Sequence, residues 1–361
     1  MRRKLAGLSD HLAMALWEDR LLILITILYV CSGLVVQWFW QIQDLVVIQL
    51  YADAMYSITA CFMVGFLSWF TIHTMWTCTP GESLYRVLRL RLQQKYLYPR
   101  RLLGFLMLFL ILPQFMGMFC SYKQNVHVLK PFCWDTTFMR WDYLLHGGHH
   151  PWELLQPILG YPLITSIINA CYHAWMFVLF GVTFWLGWHE NRLARMQYLL
   201  CFLLMWILLG TILAIGLSSA GPCYYDRVTG DEGPFLPLMA YLERANQEYP
   251  IWSIDVREML WRNYETGQIE RVRGITAMPS MHVASTLLLA LGAWSVHRKV
   301  GAALFFFALI ILIGSVHLAW HYAIDGYLSI VLVLILWKTV GWALRKYSRL
   351  SDNPESFRYN S

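Results

Sequence analysis

Two short stretches place ionisable side chains where the surrounding chain is apolar. The first, Gly274-Ile275-Thr276-Ala277-Met278-Pro279-Ser280-Met281-His282, ends a polar segment and opens an apolar run. Pro279 and Ser280 suit the start of a helix, whose unpaired N–H groups make an anion site, and His282 stands within about a turn of it. Alone, this stretch reads as a capped helix with a stacked interfacial histidine. The second stretch, Ser315-Val316-His317-Leu318-Ala319-Trp320-His321-Tyr322-Ala323-Ile324-Asp325, changes that reading. Ionisable groups at membrane depth are costly, so they are usually paired or functional. His321 and Asp325 are four apart and share one helical face. A carboxylate there fixes the imidazole tautomer and stabilises its positive charge. Two histidines near an anion site, one with its own carboxylate, suit phosphoryl transfer. No Gly-x-Ser-x-Gly nucleophile elbow accompanies them to support acyl transfer.

The elements that must position these residues are membrane helices. Of 361 residues, 58% are hydrophobic and 14% charged, against about 45–50% and about 25% in soluble domains. Too few charges exist to cover a water-facing surface, which excludes an ordinary soluble enzyme, a disordered chain and a disulfide scaffold. Eight apolar runs approach the roughly 20 residues needed to cross a bilayer: Leu21–Trp40, Tyr56–Trp76, Leu102–Cys120, Tyr161–Trp188, Gln197–Leu217, Met281–His297, Gly301–Trp320 and Gly326–Leu344. The sixth is the weakest by hydropathy. The first lacks a small-residue cleavage site and is expected to be a retained helix. The expected fold is all-α, a polytopic membrane helix bundle with helices in its non-cytoplasmic loops. Its expected divisions are N-terminal transmembrane helices and a first long loop (1–160), a catalytic membrane core (161–345) and a cytoplasmic tail (346–361).

The net charge of +6 is explained by topology. Eighteen of the 28 Lys and Arg residues fall in the termini and loops on one side of an eight-helix drawing, and nine in the longer opposite loops. Positive residues mark the cytoplasmic side, so both termini are expected there, and nucleic-acid binding has no further support. The opposite face then carries both histidine motifs and the long segments Ser121–Gly160 and Ser218–Ser280. Within the latter, Asp255 and Glu258 precede or flank apolar residues as a helix start would. A Cys120–Cys133 bridge fits the spacing, but spacing alone cannot establish it.

Pro279-Ser280-Met281-His282 and His321-x-x-x-Asp325, about 40 residues apart, resemble the second and third signature motifs of the type 2 phosphatidic acid phosphatase (PAP2) superfamily. Ala277-Met278, His321-Tyr322 and Gly221-Pro222-Cys223-Tyr224-Tyr225 look most like its inositol-phosphorylceramide-synthase-type branch. The resemblance implies His321 as nucleophile forming a phosphohistidine, Asp325 as its orienter and His282 as the acid that protonates the leaving group and then deprotonates the acceptor. It implies Ser280 and nearby N–H groups as phosphate ligands, with neither metal nor cofactor. The superfamily's Arg six residues before the nucleophile is here Ser315, as in the synthase-type branch. A first motif of Lys followed by Arg-Pro has no recognisable counterpart, since the run from Lys95 to Arg101 falls on the cytoplasmic side. Arg273 and Arg271 are the first candidates for the phosphate clamp, then Arg227, each weighed evenly against a solvated loop charge. Tyr224, Tyr225 and His317 are candidate substrate contacts, with packing the stronger reading for His317.

The cluster His146-Gly147-Gly148-His149-His150 invites a metal hypothesis. No accompanying ligand motif supports it, and a loop packed over the site or binding a head group, anchored by Asp142 and Glu153, is preferred. The functional expectation is a membrane enzyme acting on a lipid phosphate or diphosphate at the non-cytoplasmic leaflet. Hydrolysis is preferred narrowly over transfer to a head-group alcohol of the sphingolipid type. A non-enzymatic lipid transporter or lipid-binding protein on the same scaffold is the rival from another class.

Overall fold

Long apolar runs satisfy their backbone groups internally as helices, the economical solution in a lipid environment. In the computed structural model, which describes residues 2–42, 46, 48–79, 81–92, 99–267 and 274–351, every regular element is helical. In chain order they are α1 (Arg2–Trp40), α2 (Ile48–Thr77), α3 (Leu84–Arg91), α4 (Pro99–Gln124), α5 (Val126–Leu129), α6 (Asp135–Leu145), α7 (Pro151–Leu159) and α8 (Pro162–Gly187). There follow α9 (Arg192–Ile207), α10 (Ala214–Gly216), α11 (Tyr225–Thr229), α12 (Leu236–Glu248), α13 (Trp252–Thr266), α14 (Met281–Val296), α15 (Arg298–His317) and α16 (Ala323–Ser351). A π-helical stretch, Leu208–Leu213, joins α9 to α10, so the fifth apolar run forms one near-continuous rod.

Seven helical segments are long and apolar enough to cross a membrane among the described residues. They correspond to seven of the eight runs expected from sequence. The remaining run, the sixth, forms α14, which has 16 residues and spans about 24 Å, short of the roughly 30 Å hydrocarbon core. It is also the run that opens on polar residues.

The chain divides into two compact units. One comprises Met1–Ser121 and Phe180–Glu190. Inside it Phe105 packs edge-on to Trp188 with ring centroids 4.7 Å apart, and Tyr29 meets Phe115 at 4.9 Å. The other unit, Tyr122–Leu179 with Asn191–Ser361, holds both histidine motifs. There α9, α14, α15 and α16 pack on one another, while α6 leans on α16 and α7 on α15. Helices in lipid associate by close packing of small residues, and α14 and α15 do so at Gly301. A Cβ on Gly301 would stand 2.5 Å from the Cα of Trp294.

Above this bundle the polar segments fold into short helices rather than open loops. The helix expected near Ser253–Thr266 forms as α13 but begins earlier, at Trp252, so Asp255 lies in its first turn. Buried Leu238, Leu242 and Ala245 of α12, Ile251 just before α13 and Leu260 of α13 share one core with Tyr172, Cys223, Tyr224, Val283 and Ala319. A second, smaller cluster joins Phe138, Tyr225, Phe235, Met278 and Tyr322. The loop helices are thereby packed onto the two motif segments.

Candidate active site

Ser280 starts α14 as an N-cap, its hydroxyl accepting from the Val283 N–H at 3.5 Å, as the sequence predicts. It is completely buried. Its N–H donates to the Asp325 carbonyl at 3.3 Å, and the Ser329 hydroxyl lies within 3.0 Å of the Ser280 carbonyl and 2.7 Å of the Asp325 carbonyl. Residues 45 positions apart in sequence are thus joined backbone to backbone.

His321 follows α15 in a tight bend. The Ser315 carbonyl accepts from both the Trp320 and His321 N–H groups at 2.9 and 3.0 Å, and Ala319 adopts a left-handed φ of 60°. Ser315 thus anchors the bend through its carbonyl. His321 Nδ1 lies 3.1 Å from Asp325 Oδ2, with the imidazole 7% and the carboxylate 0% exposed. An ionised carboxylate only accepts, so Nδ1 carries the proton and Nε2 is the nitrogen left with a lone pair. The same Oδ2 accepts from the Tyr322 N–H at 3.2 Å.

His282 faces this pair with its ring centroid 6.0 Å from that of His321. Its other side is walled by α8, where Tyr172 stacks at 4.5 Å and Trp175 lies at 4.2 Å. Trp175 is itself held by a 2.8 Å bond from Nε1 to the Ser285 hydroxyl. His321, Lys123 and His173 are the cationic or titratable groups within electrostatic reach of His282. The arrangement therefore offers one imidazole oriented by a buried carboxylate, and a second imidazole across a gap of a few ångströms.

The segment Ser218–Tyr224 joins the two motifs. Ala277 N–H donates to the Ser219 carbonyl at 3.0 Å and Met278 N–H to the Ser219 hydroxyl at 3.2 Å. Cys223 N–H donates to the Ala319 carbonyl at 3.0 Å. Gly221, at φ +98°, permits the approach: a Cβ there would lie 2.8 Å from the Trp320 carbonyl oxygen.

With this geometry in view, one comparison bears on the chain as a whole. A sequence model described as the PAP2 superfamily matches residues 136–339, more than half of the length. The chain belongs to the PAP2 superfamily. No curated protein and no solved structure matches it. Membership supports a phosphatase-type membrane enzyme with lipid phosphates as its substrate class.

The remaining sequence-predicted residues of this PAP2 protein separate into distinct surroundings. Arg271 and Arg273 lie outside the described residues. Arg227 is bound to Glu258 at 2.9 Å and lies over the Trp261 ring at 5.1 Å. The Tyr224 hydroxyl donates to the Arg257 carbonyl at 2.9 Å, and Tyr225 is buried in the smaller aromatic cluster. Burial raises both phenols above their ordinary range. His317 is fully buried, with Nε2 2.9 Å from the Thr165 hydroxyl.

The three histidines of the Gly-Gly turn diverge. His146 lies 2.6 Å from the Asp142 carbonyl and 3.0 Å from the Tyr327 hydroxyl. His149 is exposed, 3.9 Å from Glu153. His150 is buried against Tyr143 and Phe235, and burial lowers its pKa despite Glu153. Among the described residues, no group of three or more His, Cys, Asp or Glu is arranged to hold a metal ion. Cys133 is an exposed, unbridged thiol.

Sequence reasoning missed Tyr172 and Trp175, because aromatics in an apolar run carry no mark distinguishing a site wall from a lipid-facing belt. It missed Lys123, a lysine ending a membrane helix, which reads equally as a snorkelling side chain. It also missed Asp135, whose carboxylate accepts from Ala220 N–H, Gly221 N–H and the Tyr322 hydroxyl at 2.8–3.1 Å. The available signal was its spacing of seven from Asp142, one face of a helix.

Proposed function

We propose that this PAP2 protein is a lipid phosphate phosphatase working through a phosphohistidine, with α14, packed along α15, as a short eighth crossing over which the bilayer thins, both termini cytoplasmic and the site opening on the opposite face. The His321–Asp325 pair facing His282 at 6.0 Å carries the reading. In the first step Nε2 of His321 attacks phosphorus and the P–O bond to the lipid alcohol breaks. His282, which takes up a proton when the anionic phosphate binds beside it, gives that proton to the departing oxygen. Asp325 stabilises the imidazolium that forms. In the second step His282, now neutral, removes a proton from water, and the resulting hydroxide displaces His321 from phosphorus. Phosphate leaves, and both histidines return to their starting states.

The phosphoryl oxygens need positive partners. The start of α14 at Ser280 and Lys123, within reach of His282, are proposed for this role, together with Arg273 and Arg271 just upstream of the motif. Arg227 is a weaker candidate because Glu258 already neutralises it. The basic residues concentrated at the termini and in alternate loops support the orientation.

The alternative is transfer of a phosphorylated head group to a second alcohol, in which the alcohol replaces water in the second step. The synthase-type details favour it, above all the Gly221-Pro222-Cys223-Tyr224-Tyr225 segment seated on the His321 bend. One experiment separates the outcomes. Purified protein and its His321→Ala variant are incubated with a panel of lipid phosphates and diphosphates, with and without alcohol acceptors, and products are read by mass spectrometry. Phosphate release abolished by His321→Ala supports hydrolysis, whereas a new phosphodiester supports transfer. Neither product from any lipid refutes both and leaves a transporter or lipid-binding role.

A further inference from the structure

The helix that carries Asp325 begins without a cap of its own. Asp325 is the third residue of α16, and its Oδ2 reaches back to the N–H of Tyr322, the residue before the helix. This is one half of a capping box. The other half should be a Ser, Thr, Asp or Asn at the position preceding the helix, accepting from the first-turn N–H groups. Tyr322 cannot do this, since its hydroxyl is 2.9 Å from Asp135.

The missing acceptor arrives from another element. Asp142 of α6 is buried at 3% exposure, and its two oxygens accept from Ala323 N–H at 2.7 Å and Ile324 N–H at 3.0 Å. One turn further along the same helical face, His146 ties the Asp142 carbonyl to the Tyr327 hydroxyl of α16. Seven residues before Asp142, Asp135 holds Tyr322 and the Ala220–Gly221 backbone. Thus α6 grips the first turn of α16 at Tyr322, Ala323, Ile324 and Tyr327, and Asp325 lies within that grip.

We propose that Asp142 is a positioning residue for the proposed phosphoryl transfer: it caps α16 in trans and thereby sets the Asp325 carboxylate that orients His321. The role rests on the assignment of His321 and Asp325 above, although the cap itself does not. Asp325 has two loyalties, to the His321 imidazole and to the Tyr322 N–H, both through Oδ2. With Asp142 in place, the Ala323 and Ile324 N–H groups are satisfied and Asp325 can serve His321. Without it, those two N–H groups lose their acceptor at a buried helix start. The Asp325 carboxylate, on the same first turn and with its buried Oδ1 unpartnered, then rotates toward them and draws Oδ2 off the imidazole. Burial raises the Asp142 carboxyl, while its bonds to Ala323 and Ile324 act in the opposite sense.

The test uses the full-length protein in detergent or nanodiscs, as wild type, Asp142→Ala and Asp142→Asn. Hydrogen exchange read by mass spectrometry over residues 320–328 is expected to accelerate about tenfold or more in Asp142→Ala and less in Asp142→Asn, whose amide oxygen can accept from one of the two N–H groups. Exchange in α9 should stay at its wild-type rate. Turnover of the best lipid phosphate should fall about tenfold or more in kcat for Asp142→Ala, with KM within about twofold and Asp142→Asn intermediate. A merely structural role would lower the fraction of active protein and the melting temperature without that ordered loss in kcat per folded molecule. If Asp142→Ala does not fold, the Asp142→Asn arm decides alone. Unchanged exchange at residues 320–328, or a loss confined to KM, overturns the proposal. A wild-type protein inactive on every lipid phosphate refutes the phosphatase reading instead, and the exchange arm still judges the cap.

Discussion

Replacing Asp325 is the perturbation whose size follows most directly from the geometry. Its Oδ2 accepts from His321 Nδ1 at 3.1 Å and Tyr322 N–H at 3.2 Å inside a fully buried setting. A hydrogen bond to a charged group is worth about 1.5–3 kcal/mol and a neutral one about 0.5–1.5 kcal/mol. If the bond to His321 strengthens as the imidazole becomes positive, Asp325→Ala forfeits the whole of it. At about 1.36 kcal/mol per decade, that is a loss of roughly 10- to 150-fold in kcat. Asp325→Asn can keep its oxygen where Oδ2 lies and retain a neutral bond, so it loses only the difference. That difference, about 1–1.5 kcal/mol, corresponds to roughly 5- to 15-fold. The assay is phosphate release from a lipid phosphate in mixed micelles, with kcat and KM separated and folding checked by melting temperature. The expected order in kcat is wild type, then Asn, then Ala, with KM nearly constant. An Asp325→Ala protein that folds and keeps kcat within about threefold of wild type would falsify the orienting role. So would a loss appearing wholly in KM.

Two further outcomes probe other parts of the site. If His282 protonates the leaving oxygen, His282→Ala should slow a lipid phosphate by about 10²–10⁴-fold, the usual span of acid–base catalysis, but slow a nitrophenyl-type phosphate far less, because that leaving group needs no proton. Equal losses on both substrates would argue against the acid role. Among the cysteines, Cys223 is buried and its thiol is pushed up to about 12 by burial, whereas Cys133 is exposed. Only the thiolate alkylates, and raising the pKa lowers the thiolate fraction at fixed pH, to about 10⁻⁴ at pH 8 for a thiol at 12. Iodoacetamide at pH 8 should therefore label Cys133 and spare Cys223 in the folded protein; prompt labelling of Cys223 in peptide maps would contradict the burial.

Much of the site was legible because its signals are local. Ser280 as an N-cap follows from residue type and its place before an apolar run, and the His321–Asp325 pair follows from a spacing of four. The helix around Asp255 and Glu258 was legible for the same reason, although its start lies at Trp252. Asp142 was recognisable as a candidate anchor, with Glu153, of the loop expected over the site. Its partners were not recognisable, since the Ala323 and Ile324 N–H groups lie about 180 residues away and backbone donors carry no side-chain signature. Tyr172 and Trp175 were hidden among many aromatics in apolar runs. The His146–His150 cluster shows the opposite failing: three similar residues crowd a short stretch, yet their rings go to Tyr327, Glu153 and Phe235.

The sequence alone determined the solvent, the helical class, the family motifs and the charge asymmetry. These depend on hydropathy, on one-dimensional spacing and on where Lys and Arg fall along the chain. Only the tertiary structure decided that Ser280 and Asp325 meet backbone to backbone, that α8 walls His282, and that α6 caps α16 from outside. Those contacts join residues from roughly 45 to 190 positions apart. Their occurrence depends on which helix faces pack, and that choice is made collectively by close contacts such as Gly301 against Trp294 rather than by any residue pair that the chain displays in line.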